Sequence, residues 1–251
     1  MLRKADRLLE LGPHFVRHPS LIRSALRGLH PGTLATLDQP WLRQFGVRTV
    51  LDVGANTGQF AQVAHHVFPE ARVYAFEPLP GPFEAMRHRM RGIEAFQAFP
   101  AAIGDRDGRI TIHQSASSPS SSILPMTGAH TEAFPWTAGS TEVEVEVHRL
   151  DHFLPGLHLE RKVLLKIDVQ GYSLQVLHGA PETLAQTDLV FVESSVVPLY
   201  AGEATFDAIH GFLTSAGFAF IGVLDQLTHP ETGAVLQMDA MFRRTEPPNS
   251  V

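Results

Sequence analysis

The middle of the chain alternates between short apolar runs and segments with helical spacing of their apolar residues. The runs Thr49–Val53, Arg72–Phe76 and Ile93–Phe99 predict strands. The segments between them predict helices over Gln59–Val67 and Pro80–Met90. This β-α-β-α-β order is typical of a parallel sheet that carries helices on both faces.

A second series of apolar segments occupies the last third of the chain. Lys162–Asp168 predicts a central strand, and Leu189–Glu193 predicts a further strand. Phe206–Ala216 has the spacing of a helix, and Phe218–Leu224 with Gln237–Arg243 predicts a closing antiparallel pair. We therefore expect an α/β fold with about seven principal strands and no internal repeat.

The segment between the two series has a different pattern. Arg109–His113 and Glu142–His148 predict strands, and the second alternates glutamate with valine, so that one face is buried and the other wet. Residues 114–141 form an insert between them that is rich in serine from Ser115 to Ser122. Such a segment is either a surface loop or a loop that orders over a bound ligand.

The first thirty residues predict a helical extension that precedes a domain over residues 31–251. Their apolar positions fall near helical spacing but are interrupted at Gly12–Pro13 and His18–Pro19. The extension is locally basic. Two interpretations remain open, a helical cap packed on the domain and an amphipathic segment that docks on a partner or a membrane surface.

Composition narrows the class of protein. A chain of 251 residues with 44% hydrophobic residues suits one globular domain with a substantial core. The net charge of -6 is unlike the basic balance of a nucleic-acid binder, so we expect no nucleic-acid partner. The chain has no cysteine, which excludes disulfides, thiolate metal sites and cysteine nucleophiles. We identify neither a membrane-spanning segment nor a secretory signal, and therefore expect a cytoplasmic protein.

The first candidate chemical motif is the turn after the first strand, Leu51–Gly58. Its two glycines and its asparagine tolerate positive φ, and glycine lets the backbone approach a ligand closely. In an open parallel sheet this turn lies at the carboxyl ends of the strands, where ligands bind. The backbone amides that begin the following helix can meet a carboxylate there.

The second motif is Glu77, which ends the second strand about twenty residues after the turn, where an acid accepts hydrogen bonds from a ribose diol. Together the two motifs predict a cofactor that carries a ribose. A nicotinamide fingerprint places glycine at positions 54, 56 and 59, whereas the chain has Gly54, Asn56 and Gln59. This favours the Gly-x-Asn-x-Gly variant of methyltransferases, whose cofactor S-adenosylmethionine has no pyrophosphate and does not need the third glycine.

Two further acids end neighbouring strands of the second series. Strand alternation places Lys166 and Asp168 on one face, and Glu193 ends the next strand. Two such carboxylates orient a substrate, act as a base, share a divalent cation or simply bind loop amides. We expect Lys166 to pair with a carboxylate. His148 and His113, on the strands beside the insert, are further candidate bases, although surface and core roles are commoner for histidine.

The order of these motifs resembles the FkbM-type S-adenosylmethionine-dependent methyltransferases. The resemblance spans residues 48–244, leaves the first thirty residues outside, and implies a class I methyltransferase fold, a seven-stranded sheet with an antiparallel last strand. The matching segments are Leu51–Phe60, Ala75–Pro80, Ala101–Gly108, Leu165–Tyr172, Val176–Pro181, Glu193, Tyr200–Gly202, Gly217–Phe218 and Asp239–Arg243.

The resemblance also implies roles for individual residues. Gly54 and Asn56 would line the amino-acid end of the cofactor, Glu77 would hold the ribose hydroxyls, and Ala102 and Ile103 would lie near the adenine. The predicted cofactor-binding residues are Asp52, Gly54, Asn56, Gly58, Phe60, Glu77, Pro78, Ala102, Ile103 and Asp168. The predicted catalytic residues are Asp168, Glu193 and His148.

Asp168 would face either the methionine end of the cofactor or the acceptor. The chain departs from the resemblance at Ser173, where members of the family often carry glutamate. We expect Ser173 to act as a helix N-cap, so no acceptor or metal role carries over from that glutamate.

The resemblance implies O-methylation of a small-molecule hydroxyl, such as that of a sugar, a glycolipid or a polyketide. A Mg²⁺ ion is also possible, but the only residues that indicate one are the two acids at the strand ends, Asp168 and Glu193. Three alternatives remain: a nicotinamide-dependent oxidoreductase, a cofactor-binding module without turnover, and a methyltransferase that acts on RNA or protein.

Overall fold

The computed structural model describes residues 28–115, 122–124, 127 and 140–245. The predicted helical extension therefore lies almost wholly outside the described residues, and so does most of the serine-rich insert. The remaining predictions of secondary structure fall within the described part of the chain.

The strands and helices follow the order that the hydrophobic pattern predicts. In chain order the strands are β1 (Thr49–Val53), β2 (Arg72–Phe76), β3 (Phe96–Phe99), β4 (Ala102–Ile103), β5 (Gly108–Ser115), β6 (Ser140–His148), β7 (Val163–Ile167), β8 (Leu189–Ser195), β9 (Phe218–Thr228) and β10 (Val235–Arg244). The helices are α1 (Pro31–Leu37), α2 (Pro40–Phe45), α3 (Gln59–Val67), α4 (Pro80–Arg89), α5 (Leu150–Phe153), α6 (Ser173–His178), α7 (Pro181–Gln186) and α8 (Phe206–Ser215).

The main sheet contains seven strands of the described residues in the spatial order β3-β2-β1-β7-β8-β10-β9. The strands β3, β2, β1, β7 and β8 pair in parallel with their neighbours in this order. Strand β10 runs antiparallel to both β8 and β9. The predicted mixed α/β sheet with an antiparallel last strand is therefore confirmed. Because all parallel strands point the same way, their carboxyl ends meet along one edge of the molecule.

A second, smaller sheet has the order β4-β6-β5. The segments predicted as strands on either side of the insert pair with each other here and do not join the main sheet. In β6 the valines are more buried than the glutamates between them, as the alternation predicts. The carboxyl end of β6 pairs with β4, which places this sheet beside the segment that follows β3.

The core forms two apolar layers, one on each face of the main sheet. Every residue of β1 is buried, as expected for a central parallel strand covered on both faces. Leu51 and Val53 pack with residues of α6, α7 and α8, whereas Val50 packs with residues of α1, α2 and α3. Helices therefore cover both faces, and the strand ends between the two layers remain available for a site.

Several boundaries differ from the predicted ones for local reasons. Strand β3 begins at Phe96 and not at Ile93, because the amide of Phe96 donates to the carbonyl oxygen of Ile93 at 3.2 Å and closes a turn there. Strand β7 begins at Val163, since Lys162 has a φ of 75°, which a strand does not accommodate. Among the described residues, no helix has both the length and the apolar character needed to cross a membrane.

Candidate active site

A cavity of about 600 Å³ opens at the carboxyl ends of β1, β2, β7 and β8. Its volume lies within the range of small-molecule and cofactor sites. Most of the residues predicted for the site line it, namely Gly54, Asn56, Phe60, Glu77, Pro78, Ala102, Ile103, Asp168 and Glu193. The fold therefore collects residues from five separate motifs around one space.

The turn after β1 has the backbone conformation that its sequence predicts. Gly54 has a φ of 76° and Asn56 a φ of 48°. A Cβ atom at Gly54 would lie 1.9 Å from the carbonyl oxygen of Asp168, so only glycine fits between the two strand ends. The amides of Gly54 and Ala55 both donate to the carbonyl oxygen of Phe76, at 3.0 Å each. These bonds fix the turn against β2 and bring it next to Glu77.

Glu77 lies at the wall of the cavity with only 5% of its surface exposed. Its Oε2 accepts a hydrogen bond from the amide of Asn56 at 2.8 Å, and its Oε1 accepts one from Leu79 at 2.9 Å. Burial raises the pKa of Glu77, although these two bonds oppose the shift. Since a carboxylate accepts about four hydrogen bonds, Glu77 retains capacity for further donors from the cavity.

Lys166 connects the two central strands below the turn. It lies opposite Asp52 in the β1–β7 register, and its Nζ is 3.1 Å from Asp52 Oδ1 and 3.4 Å from Asp168 Oδ2. The same Nζ donates to the carbonyl oxygen of Gly54 at 3.0 Å. Burial alone would lower the pKa of Lys166, but the charges of Asp52 and Asp168 outweigh burial and raise it. The predicted pairing of Lys166 with a carboxylate is confirmed.

Two residues predicted to bind the cofactor lie behind the cavity wall instead. Asp52 is completely buried, and burial raises the pKa of its carboxyl despite the nearby charge of Lys166. Gly58 precedes α3 with a φ of 76°, and a Cβ atom there would lie 2.8 Å from Cγ of Met86. Neither residue is among those that line the cavity in the described part of the chain. Asp52 instead holds Lys166 and Gly58 allows close helix packing, so their positions do not support direct contact with the cofactor.

Gln170 joins Asp168, which follows β7, to Glu193, which lies near the carboxyl end of β8. Its Nε2 lies 3.1 Å from Asp168 Oδ1 and 2.9 and 2.7 Å from the two carboxylate oxygens of Glu193. The hydroxyl of Tyr200 donates to Oε1 of Gln170 at 2.7 Å, which fixes the orientation of the amide. The structure thus brings Asp168 and Glu193 together, through a residue that sequence reasoning passed over.

Asp239 is a third acid at this end of the cavity, and sequence reasoning gave it no role. It lies on β10 directly opposite Glu193 and lines the cavity. Burial, followed by the charges of Asp168 and Asp225, raises the pKa of Asp239 to about 7. Burial and the charges of Asp168 and Asp239 raise the pKa of Glu193 well above its ordinary value. Asp239 and Glu193 therefore hold their protons to a higher pH than ordinary carboxyl groups do.

Two other segments complete the cavity. Ser122 and Ile123, from the described part of the serine-rich insert, line it, and the Ser122 hydroxyl donates to the carbonyl oxygen of Gln170. Thr33 and Thr36 on α1 line it as well. Ser122 and Ile123 thus form part of the cavity wall, and nothing in the sequence pattern indicated a contribution from α1.

The two candidate histidines lie elsewhere. His148 Nδ1 is 3.0 Å from Asp107 Oδ1, and His113 Nδ1 is 3.9 Å from Glu142 Oε1. In the part of the chain that the structure describes, neither lines the cavity. A general base must reach the proton that it removes, so the position of His148 argues against its predicted catalytic role.

Ser173 also departs from its predicted position. It is the first residue of α6, not the N-cap, and its hydroxyl donates to the carbonyl oxygen of Glu193 at 3.1 Å. A serine here therefore fastens α6 to the end of β8.

The sheet order, the antiparallel β10, the glycine turn and the acid after β2 define a class I methyltransferase. Residues 52–220 match the methyltransferase FkbM domain, and the chain belongs to this family. The nicotinamide-dependent alternative therefore does not hold, and the protein is an S-adenosylmethionine-dependent methyltransferase.

Two named relatives illustrate the similarity. The 2-O-methyltransferase NoeI of Sinorhizobium fredii is 31% identical over 172 residues, which cover 66% of this chain and 71% of that protein. The 31-O-demethyl-FK506 methyltransferase FkbM of Streptomyces tacrolimicus is 28% identical over 210 residues, which cover 71% and 75%. Among solved structures, the O-methyltransferase TomG of Streptomyces achromogenes aligns with a TM-score of 0.46 and 14% identity, over 86% of this chain and 79% of that one.

Proposed function

We propose that the protein methylates a hydroxyl group of a small molecule such as a sugar, a glycolipid or a polyketide, with S-adenosylmethionine as the methyl donor. One observation carries the proposal: a single cavity holds Glu77 beside the glycine turn at one end and Asp168, Glu193 and Asp239 at the other. Two relatives named as O-methyltransferases, NoeI and FkbM, add support.

The residues at the first end suit S-adenosylmethionine. The free acceptor capacity of Glu77 suits the ribose hydroxyls, and the absence of a side chain at Gly54 lets the backbone approach the amino-acid end. Ala102 and Ile103 offer an apolar wall for the adenine. When bound, the cofactor supplies a methyl group made electrophilic by its sulfonium.

The residues at the second end suit a hydroxyl acceptor. A hydroxyl is a weak nucleophile, so a base must take its proton. We assign this role to Asp168, whose carboxylate is held between Lys166 and Gln170. Glu193 orients Gln170 and has a raised pKa, so it serves as the neighbouring proton acceptor or as a hydrogen-bond partner of the substrate. Alignment of the acceptor and exclusion of water supply the rest of the rate enhancement.

A divalent cation is not part of this proposal. The Gln170 amide nitrogen lies within hydrogen-bond distance of both Asp168 and Glu193, so a donor group already bridges the two carboxylates. A Mg²⁺ ion bound by both would have to displace this amide.

The test is a screen of small-molecule extracts with labelled S-adenosylmethionine, followed by mass spectrometry of the products. We expect label in a hydroxyl-bearing small molecule, and parallel incubations with RNA and protein fractions should remain unlabelled. Label in RNA or protein would overturn the assignment of substrate class. Cofactor binding without transfer to any fraction would favour a binding module instead.

A further inference from the structure

A cluster of metal-ligand side chains lies outside the cavity, where the small sheet meets α5. It comprises Asp107, His148 and His152, whose potential ligand atoms all lie within 4.8 Å of one another. No other group of three acids or histidines in the described ranges meets this distance. Phe153 packs against both imidazole rings and against Phe76, which lines the cavity. An aromatic layer therefore separates the cluster from the proposed cofactor site.

The distances within the cluster match those of a metal site. The Nδ1 atoms of His148 and His152 lie 3.0 and 3.7 Å from Asp107 Oδ1. Two ligand atoms bound at about 2.0–2.1 Å to one tetrahedral ion are separated by roughly 3.3 Å, so the observed values lie on either side of that spacing. Small side-chain movements would bring all three atoms onto one ion.

Three separate chain segments supply these ligands. Asp107 lies in the turn between β4 and β5, His148 ends β6, and His152 lies on α5. The amide of Arg149 donates to Asp107 Oδ1 at 3.2 Å, which helps to hold the carboxylate in place. An ion bound here would cross-link the small sheet to the helix that packs behind the main sheet.

The surroundings of His148 also suit a metal ligand. Its other ring nitrogen, Nε2, lies 3.8 Å from Oε2 of exposed Glu146, so a carboxylate is nearby although it is beyond hydrogen-bond distance. Histidines that bind metals usually donate this second N–H to a carboxylate, which orients the ring and strengthens the ligand. The alternative is a plain hydrogen bond between His148 and Asp107 with no ion, and the experiment below distinguishes the two.

We propose that Asp107, His148 and His152 form a binding site for a divalent transition-metal ion, with water in the remaining coordination position. Two imidazoles and one carboxylate suit Zn²⁺, Co²⁺ or Ni²⁺, whereas Mg²⁺ and Ca²⁺ require a shell of oxygens. The ion stabilises the junction of the small sheet with α5 and is not a reactant in methyl transfer. This site is independent of the proposed function.

The test uses the full-length protein after treatment with a chelator, titrated with Co²⁺ and followed by the visible absorption of the bound ion. We expect one Co²⁺ per chain to bind at this site and Zn²⁺ to displace it. His148→Gln and His152→Gln should each weaken binding at least tenfold, since even loss of an outer-shell partner costs about 10–100-fold.

His88→Gln is the matched control, because His88 is exposed on α4, away from the cluster. It should bind Co²⁺ like the unmodified chain. Circular dichroism of His152→Gln, together with its binding of S-adenosylhomocysteine, will test whether the variant is folded. If His148→Gln and His152→Gln both keep the affinity of the unmodified chain, or if no Co²⁺ binds, the cluster is only a hydrogen-bonded group and the proposal is wrong.

Discussion

At the scale of single residues, Glu77 carries the proposal for the cofactor. Its two oxygens are already oriented by the amides of Asn56 and Leu79, so a ribose would meet a carboxylate that is fixed in place. Pre-orientation of this kind reduces the entropy that binding costs. The adjacent turn cannot replace the carboxylate of Glu77, because Gly54 has no side chain and its carbonyl oxygen already accepts a hydrogen bond from Lys166.

We predict that Glu77→Ala weakens the binding of S-adenosylhomocysteine about 100-fold, measured by isothermal titration calorimetry. Two hydrogen bonds to a charged acceptor contribute about 3 kcal/mol together, which corresponds to that factor. Glu84→Ala is the control, because Glu84 is exposed on α4. An unchanged dissociation constant in a folded Glu77→Ala protein would refute the ribose assignment.

The proposed base, Asp168, should affect turnover more than it affects cofactor binding. Asp168→Asn keeps the shape of the side chain but removes its charge, so turnover should fall about 10²–10⁴-fold. Binding of S-adenosylhomocysteine should change much less, which separates a catalytic role from a structural one. Asp207→Asn, at an exposed position on α8, should leave the rate unaltered. Normal turnover of Asp168→Asn would remove this residue from the mechanism.

Residues whose role depends on the local backbone could be predicted from the sequence. Residues whose role depends on pairing between distant segments could not. Gly54 and Glu77 follow strands at fixed offsets, so motif spacing was sufficient to find them. Asp239 reaches the cavity only because β10 inserts antiparallel beside β8, in a register that places it opposite Glu193. Motif spacing did not indicate that Asp52 lies on a strand covered on both faces, which hides its side chain from the cavity.

At the scale of elements, the β1–β7 pair depends on one buried cation. Lys166 neutralises Asp52, which is fully buried, and also holds the carbonyl of Gly54. Loss of the lysine would leave a buried carboxylate without its counter-charge.

We therefore predict that Lys166→Met lowers the free energy of unfolding by about 3–5 kcal/mol, measured by urea denaturation. The double change Lys166→Met with Asp52→Leu should recover much of this loss, because an apolar pair replaces the ion pair. Lys162→Met, at the exposed position directly before β7, is the control. If Lys166→Met were as stable as the unmodified chain, the ion pair would not contribute to the stability of the fold.

The β8–β10 pair makes stability depend on pH. Asp239 has a pKa of about 7 in the folded protein, above its ordinary value of 3.8, so the folded state binds this proton more tightly than the unfolded state. The resulting stability is fully present below the ordinary pKa and is lost as the pH rises through about 7. The pKa of Glu193 is also raised, so its titration likewise lowers the stability as the pH rises.

We predict that the free energy of unfolding falls between pH 5 and pH 8, and that Asp239→Asn reduces this fall by about 1–2 kcal/mol. The part of the pKa change that falls between pH 5 and about pH 7 corresponds to about 2.7 kcal/mol. Because Asp239 is partly exposed and solvent screens its charge, we expect a smaller value. Urea denaturation at both pH values measures the difference. An equal fall in both proteins would contradict the raised pKa of Asp239.

At the scale of the whole molecule, the fold class was predictable because helix and strand periodicities alternate along the chain. The cavity was less predictable, since its wall combines segments far apart in sequence. Thr33 on α1 and Ser122 in the insert reach the same space as the strand ends. The small sheet was also unforeseen, because pairing partners cannot be deduced from the alternation within β5 and β6.

The central claim is that one cavity places a nucleoside at the ends of β1 and β2 and its sulfur end toward Asp168. A crystal structure of the complex with S-adenosylhomocysteine tests it most directly. We expect both ribose hydroxyls within hydrogen-bond distance of Glu77, the adenine beside Ile103, and the sulfur facing the acids at the ends of β7 and β8. A nucleoside bound elsewhere, or a ribose without contact to Glu77, would contradict the account.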